Sequence, residues 1–396
     1  MKLKRVIAAL VAASAVFICA ACASPYGSGA GSEVKGDYFA FAIGLLKGAA
    51  EAGDGKENTM ISPYSAAACL ALVANGAKNE TLSQTEAALG VDLETLNSDV
   101  KSLEAAMKGY TSQKLKSSNS AWLKKGFQVL PEYTAKIKEY MSAEVYERSF
   151  DLATVKEIND SVSRDTDGMI NEIVKELPSD AVCVLVNALL FDAKWAEKFP
   201  DSHKGDFKCD DGTAKEADFM YAEEKTYISG KNYTGFRKDY EGGKTSFVAL
   251  LPDEAGDIDA FIKSLDGDEL SRSVRGRSEK VDVKVPVFGF DNEYELNDIL
   301  ASLGMKDAFD PEKADFSAMS EKEIYLSLVI QKTHIELGSE GTKAAAVTAA
   351  MYNAGASPVP SIELPKKQVY LDRPFVFIIM DNDSAMPLFM GAVRMP

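Results

Sequence analysis

The chain has 396 residues, of which 46% are hydrophobic and 26% charged, a composition typical of globular proteins that excludes wholesale disorder and fibrous classes. Its 44 basic and 60 acidic side chains give a formal net charge of −16, and so acidic a surface is repelled by nucleic-acid phosphates. Two histidines and five scattered cysteines exclude most histidine-based chemistry and a disulfide scaffold, and we expect no metal and no cofactor.

The N-terminus has the pattern of an export signal. Three of the first five residues are basic, and residues 6–18 form an uncharged, mostly apolar run that is too short to span a bilayer comfortably. We therefore predict a signal peptide at residues 1–23 and an exported protein, either extracellular or held at the cell surface.

Two processing sites compete at the end of this signal. Small residues allow cleavage before Ser24, whereas residues 19–22 resemble a bacterial lipoprotein box that would make Cys22 the lipidated first residue. The Gly/Ser-rich stretch at residues 24–34 is typical of a flexible tether. We expect contact with a membrane only through such a lipid anchor.

The first half of the mature chain is predicted to be rich in helices. Ser62, directly before a proline, is typical of a helix start. The pair Thr81 and Gln84 has the spacing of a capping box for the next helix, which Gly90 would close. A helical period then covers residues 155–177.

The second half is predicted to contain strands. Residues 181–191 are almost continuously apolar, as a strand buried on both faces requires. Further strands are predicted at residues 245–251, 281–285, 369–380 and 387–393, with one helix at 294–303 between them. This order indicates one large α+β domain, in which a helix-rich N-terminal half packs on large mixed sheets.

Three cysteines remain in the mature chain: Cys69, Cys183 and Cys209. An odd number at such wide spacing cannot all pair within one chain. Cys69 and Cys183 lie in apolar runs, which predicts small buried side chains. No histidine lies near any of them in the sequence to indicate a thiolate nucleophile or a zinc site.

The segment from residue 338 to residue 361 is unusual because it is long, small-residue-rich and flanked by strands. No charge occurs from Ala344 to Ile362, and a loop of this length inside a compact domain is usually functional or disordered. In an extended strand that starts at Thr342, alternation would place Lys343, the only charge in that strand, on the opposite face from Thr342. The segment could therefore enter a sheet as an extra strand and gain main-chain hydrogen bonds. A flexible loop or an alanine-rich helix is the alternative.

The same segment resembles the reactive-loop hinge of serpins, and the likeness continues over residues 35–396. The motifs that carry this likeness match the family in an order and spacing that together are highly specific. The last two of them resemble the final strands of that family. The matching motifs are Glu340-Gly341-Thr342 with Ala344-Ala345-Ala346-Val347-Thr348, Ser62-Pro63-Tyr64-Ser65, Val186-Asn187-Ala188 through Trp195, Asp372-Arg373-Pro374-Phe375, and Pro387 through Gly391. Among the departures, Ser339 stands at a usual hinge glutamate and Ser161 at a usual tryptophan.

The resemblance implies an inhibitor that is not itself an enzyme. A serine protease cleaves the exposed loop and forms an acyl-enzyme, after which the loop inserts into the central sheet and the protease is trapped at the opposite pole. We therefore expect serine proteases as partners of a monomeric protein.

The resemblance also assigns roles to individual residues. The hinge comprises Glu340, Gly341, Thr342, Ala344, Ala345, Ala346, Val347 and Thr348, with Thr342 as its first inserted side chain. A shutter network beneath the sheet comprises Ser62, Ser65, Asn187 and His334. Trp195 marks the breach, where the loop first enters.

Counting the usual interval from the hinge places the cleaved bond near Gly355, with Ala354 and Ala356 as neighbours and Met351 as a second candidate. Residues this small suit the shallow pockets of elastase-like or subtilisin-like proteases. The absence of Arg and Lys between residues 344 and 362 makes a trypsin-like target improbable.

Two other classes of function compete with inhibition. A non-inhibitory serpin-fold binding or chaperone protein would favour bulky or charged inward-facing hinge residues, which this hinge lacks. An unrelated surface serine hydrolase would require a Gly-x-Ser-x-Gly elbow between strand and helix, and the mature sequence contains no such segment.

Overall fold

The computed structural model describes residues 34–53, 55–342 and 366–396. The helices in these ranges are α1 (Phe39–Ala52), α2 (Pro63–Ala74), α3 (Asn79–Leu89), α4 (Leu93–Lys108), α5 (Pro131–Tyr140), α6 (Leu152–Asp165), α7 (Ile258–Ser264), α8 (Gly267–Ser273) and α9 (Asn297–Ser302), with a 3-10 turn at Asp307–Phe309. The strands are β1 (Thr59–Ile61), β2 (Gln113–Lys124), β3 (Glu144–Arg148), β4 (Cys183–Lys194), β5 (Asp201–Lys208), β6 (Ala214–Ser229), β7 (Tyr233–Asp239), β8 (Thr245–Pro252), β9 (Arg277–Pro286), β10 (Phe288–Glu295), β11 (Leu328–Gly338), β12 (Gly341–Thr342), β13 (Lys367–Tyr370), β14 (Phe375–Asp381) and β15 (Pro387–Val393).

These strands form two large mixed sheets. The nine-stranded sheet has the order β1-β15-β14-β8-β7-β6-β9-β13, with β5 paired to β6. The six-stranded sheet has the order β10-β11-β12-β4-β2-β3. The α+β architecture expected from the sequence is therefore confirmed, and the six-stranded sheet is the part that positions the functional residues.

Helix α2 starts where the sequence predicts it. The hydroxyl of Ser62 accepts a hydrogen bond from the Ser65 backbone N–H at 3.3 Å, and a proline occupies the first helical turn. Every residue of α2 is buried, so this helix forms the centre of the core beneath the six-stranded sheet and beside β15.

The predicted capping box at the next helix is wrong. Helix α3 begins two residues earlier than Thr81, and the Thr81 hydroxyl accepts instead from the backbone N–H of Asp315 at 2.9 Å. The Gln84 side-chain oxygen accepts from the N–H groups of Lys306 and Asp307. Both side chains therefore accept hydrogen bonds from backbone N–H groups of a distant loop. The predicted stop at Gly90 is confirmed by its left-handed φ of +78°.

Helix α6 is shorter than its sequence period indicates, because it ends at Asp165. Asp167 and Gly168 both adopt positive φ angles, which interrupts the helix long before residue 177. The helix lies across the six-stranded sheet, where Ile158 and Val162 pack with Val184 and other apolar side chains of that face.

The predicted strands at 181–191, 245–251, 281–285 and 387–393 are confirmed within a few residues. Residues 369–380 form two strands instead of one, because the chain bends between Tyr370 and Phe375 to leave β9 and join β8. The helix predicted from residue 294 begins only at Asn297, since β10 continues to Glu295.

The cysteines behave as small core residues. Cys69 and Cys183 are buried and Cys209 is partly exposed, and all three are free thiols. Burial raises the pKa of the Cys183 thiol to about 12, which keeps it protonated and unreactive at neutral pH.

Among the described residues, no helix combines the length and apolar character that a membrane span requires. The same ranges contain no group of three or more His, Cys, Asp or Glu side chains placed to hold a metal ion.

Candidate functional site

The two central strands of the six-stranded sheet pair directly along one half of the sheet. At one end, two residues of the predicted hinge lie between them. Strands β4 and β11 pair in parallel from Val184 opposite Leu328 to Leu189 opposite Thr333. Beyond that point they separate, and β12 lies between them in antiparallel pairing with both. Two residues of the predicted hinge are thus already part of the sheet.

Gly341 occupies a position with no room for a side chain. A Cβ atom there would lie 2.2 Å from the backbone oxygen of Ala193 and 2.7 Å from the Cα of Lys194. Since both neighbours are main-chain atoms of β4, they cannot give way as a flexible side chain would. The glycine therefore lets β12 approach β4 closely enough to pair.

Thr342 is the next residue, and its side chain points into the core. It is only 2% exposed, and its hydroxyl forms a 2.6 Å hydrogen bond with the phenol of Tyr240. Desolvation raises the pKa of Tyr240 well above its ordinary value, so the phenol remains neutral and can share its proton with the threonine.

Trp195 holds the backbone that leads into β12. Its indole N–H donates to the carbonyl of Gly338 at 2.8 Å, and its backbone N–H donates to the carbonyl of Glu340 at 2.9 Å. The backbone N–H of Phe199 donates to the carbonyl of Ser339 at 3.1 Å. Three successive carbonyls between the end of β11 and the start of β12 are therefore bound by one turn of chain that follows β4.

The rings at this end of the sheet pack together. The Trp195 indole stacks on Tyr240 with centroids 4.4 Å apart and an interplanar angle of 12°, and Phe199 meets the indole edge-on at 5.9 Å. We call Trp195, Phe199 and Tyr240 the hinge cluster. At the surface, Glu340 also forms a 3.4 Å ion pair with Lys198, but both side chains are exposed and such pairs contribute little.

A second set of polar contacts lies about halfway along the closed part of the sheet. Asn119 on β2, Asn187 on β4 and Gln331 on β11 are direct neighbours across the three strands. The Asn187 amide donates to the Asn119 side-chain oxygen at 2.6 Å, and its own oxygen accepts from the Gln331 amide at 2.7 Å. We call these three amides, with Ser62 and Ser65, the amide network.

The amide network ties the sheet to the start of α2. Asn187 donates to the backbone oxygen of Ser65 at 2.6 Å and also contacts its hydroxyl. Gln331 accepts from the Ser62 N–H at 2.8 Å and donates to the Ser62 carbonyl at 3.1 Å. The Ser62 hydroxyl in turn donates to the Leu388 carbonyl of β15 at 2.7 Å. The network therefore spans both sheets and the helix between them.

His334 does not belong to this network, contrary to the expectation from the sequence. It stands three residues from Gln331 on the same strand, so its side chain lies on the opposite face of the sheet. There its Nδ1 lies 2.6 Å from the exposed carboxylate of Asp291. Gln331, which is 1% exposed, takes the place predicted for the histidine.

The chain returns from the loop to the nine-stranded sheet at a charged anchor. Glu223 on β6 contacts Lys280 of β9 at 2.5 Å and Lys366, just before β13, at 2.8 Å. Hydrogen bonds from the two ammonium groups lower the pKa of Glu223 to about 2. From there β13 runs parallel to β9.

Several predicted functional residues lie outside the described residues. They are the later hinge residues Ala344, Ala345, Ala346, Val347 and Thr348, the cleavage candidates Met351, Ala354, Gly355 and Ala356, and the lipidation candidate Cys22.

The structure adds functional candidates that the sequence analysis missed. Gln331 shares its alternation with the core residues Ile335 and Leu337, whereas His334 shares that of Lys332 and Glu336. This two-residue period was a signal that could have identified Gln331. Nothing comparable in the sequence pointed to Asn119 or Tyr240, because their contacts come from distant strands.

Comparison with known proteins gives a consistent result. The family model for serpins, described as serine protease inhibitor, matches residues 38–396. Leukocyte elastase inhibitor A of Rattus norvegicus is 32% identical over 359 residues, which cover 86% of this chain and 93% of that protein. Among solved structures, a thermophilic serpin, tengpin, in its native state is 36% identical, with a TM-score of 0.83 over 91% of this chain and 93% of that one. The same protein in its latent state gives 0.75 at 34% identity, over 90% and 96% of the two chains.

Proposed function

The chain belongs to the serpin family of serine protease inhibitors, and from that premise we propose that it traps elastase-like or subtilisin-like proteases as a suicide substrate. Its loop is cleaved, and the part before the cut then extends β12 between β4 and β11 while the protease remains attached as an acyl-enzyme.

The observation that carries the proposal is the state of the gap between β4 and β11. Gly341 and Thr342 already pair with both strands, and the strands pair directly with each other further along. Each further residue that joined β12 would form hydrogen bonds on two sides in place of at most one direct β4–β11 pairing, which favours the inserted form. The TM-score is higher against the native than against the latent form of tengpin, which supports a native-like arrangement of the described strands.

The proposed target class rests on the sequence of the loop. Small uncharged residues around Gly355 suit a protease with a shallow specificity pocket. Residues 344–362 contain no Arg or Lys, so they offer no basic side chain to a protease with an acidic pocket. The similarity to a leukocyte elastase inhibitor supports the same choice.

We further propose that the protein is exported. The support is the basic, apolar and small-residue order of residues 1–23, with Cys22 or Ser24 as the first mature residue. Intact mass of the protein from its native cells would distinguish them, because lipidation of Cys22 adds the mass of its acyl chains. A mass that retains residues 1–23 would contradict export by this route.

The central experiment mixes residues 24–396 with pancreatic or neutrophil-type elastase, followed by denaturing electrophoresis and intact mass. We expect a stable covalent band at the summed mass of protease and N-terminal fragment, with a released C-terminal peptide that identifies the cleaved bond. A chain carrying Thr342→Arg is the matched control, since it should be cleaved without trapping.

Cleavage without a covalent complex, first with elastase and then with subtilisin, would overturn the inhibitory proposal. A non-inhibitory binding role for the serpin fold would then be the better explanation.

A further inference from the structure

A buried ion pair lies directly beneath the hinge cluster. Lys238 of β7 is 2% exposed, and its ammonium lies 2.6 Å from the carboxylate of Glu224 on β6. Lys238 stands on the buried face of its strand between Phe236 and Tyr240. A charged side chain in such an apolar row is exceptional and requires a compensating interaction.

The same ammonium faces two aromatic rings of the hinge cluster. It lies 4.4 Å from the ring centroid of Phe199 and 5.5 Å from that of Trp195. Both distances fall within the range of cation–π attraction, which is strongest where the cation has lost its water. Lys238 therefore contacts the two residues whose backbone N–H groups bind the Ser339 and Glu340 carbonyls.

The pair does not have the character of a stabilising salt bridge. Burial raises the pKa of the Glu224 carboxyl above its ordinary value despite the adjacent ammonium, so desolvation outweighs the attraction. Apolar residues of similar size commonly replace such buried pairs without loss of stability. What an apolar pair cannot supply is a cation against the Phe199 and Trp195 rings.

We propose that Lys238, held in place by Glu224, is a positioning residue that fixes the Trp195–Phe199 turn and thereby keeps the hinge carbonyls bound at the mouth of the sheet. Glu224 orients the ammonium, the ammonium attracts the two rings, and the rings fix the backbone N–H groups. The consequence of this inference, prompt extension of β12 after cleavage, rests on the proposed function. The contacts of Lys238 with Glu224 and with the two rings do not depend on it.

The test compares three forms of the full mature chain. In the double variant Lys238→Met with Glu224→Leu, an apolar pair replaces the charges, whereas Lys238→Arg keeps a cation over the rings. Amide hydrogen exchange over residues 195–199 reports the turn directly, because the N–H groups of Trp195 and Phe199 bind the carbonyls of Glu340 and Ser339. Denaturation midpoints and the fraction of elastase trapped per cleaved inhibitor complete the measurements.

We expect the double variant to keep the wild-type denaturation midpoint while residues 195–199 exchange about five- to tenfold faster, the factor expected from losing a buried cation–π contact. The trapped fraction should fall in parallel. Lys238→Arg should restore both the exchange rate and trapping.

A double variant with wild-type exchange and trapping would overturn the proposal, because the pair would then act only as filler of the core. If Arg does not fit and unfolds the protein, Lys238→Gln with Glu224→Gln replaces it. That neutral pair keeps the polar contact without the cation, and wild-type exchange in it would also overturn the proposal. If the wild-type chain traps no protease, the proposed function fails, but the exchange measurement still decides the role of Lys238.

Discussion

The hinge cluster and the amide network both join β4 to β11, yet they do so in opposite ways. At the hinge cluster a third strand lies between the two, and the bonds go from Trp195 and Phe199 to the backbone carbonyls that connect β11 to β12. In the amide network, Asn187 and Gln331 bond directly across the strand pair. The first region holds a short third strand in the sheet, and the second keeps the sheet closed ahead of it.

One sheet therefore combines an end where β12 separates β4 from β11 with a middle where β4 and β11 pair directly. Changes at the hinge cluster should alter trapping of the protease more than stability. Changes in the amide network should alter stability first, because removing one member leaves buried hydrogen-bonding groups of its neighbours unsatisfied.

The largest effect is expected from Thr342→Arg. An arginine at this buried position would have to bring an unpaired charge into the core beside Tyr240, so β12 could not remain in the gap. We expect the fraction of elastase trapped to fall more than about tenfold, measured by denaturing electrophoresis of the reaction. Thr342→Ser keeps the hydroxyl and should trap normally, and equal trapping by the Arg and Ser variants would contradict this account of the hinge.

The next effect separates Asn187, in the amide network, from His334, on the opposite face of the same sheet. Asn187→Ala removes the central amide of the network and leaves buried partners unsatisfied, so we expect the free energy of unfolding to fall by about 2–4 kcal/mol. His334→Ala, on the other face, should lower it by less than about 1 kcal/mol. Urea denaturation of both variants measures this contrast, and equal losses would mean that the histidine supports the closed sheet after all.

A smaller effect is expected at the Tyr240–Thr342 hydrogen bond. Tyr240→Phe deletes the phenol hydroxyl but keeps the ring stacked on Trp195, so the cost should be about 1 kcal/mol. A double-mutant cycle with Thr342→Val isolates this bond, because both single variants remove the same interaction. Additive losses in the cycle would show that the two hydroxyls do not interact.

The smallest effect concerns the anchor where the chain returns from the loop. The pKa of Glu223 is about 2 in the folded protein, below its unfolded value of about 4.3. Its pairing with Lys280 and Lys366 therefore stabilises the fold above that unfolded value, and the contribution is lost as pH falls toward 2. Glu223→Gln should lower the denaturation midpoint slightly at pH 7 and not at pH 2. A difference that persists at pH 2 would contradict a charge-based anchor.

Much of the fold followed from local patterns. The start of α2 at Ser62, the stop at Gly90 and the buried strand at β4 were each predicted, because caps, left-handed glycines and apolar runs act within a few residues. The strands β2 and β3 were missed within a half predicted to be helical. The long helix from residue 155 was wrong because positive φ angles at Asp167 and Gly168 end it.

The sequence by itself determined the family and the small uncharged character of the residues after Lys343, and it supplied the prediction of a hinge at Glu340–Thr342, since these are properties of neighbouring residues. Tertiary structure alone decided which polar groups meet. Strand register placed Gln331, not His334, opposite Asn187, and the packing of β6 and β7 under the turn after β4 placed Lys238 against Phe199. Both outcomes depend on how separate strands align, and that alignment is set by burial over the whole domain.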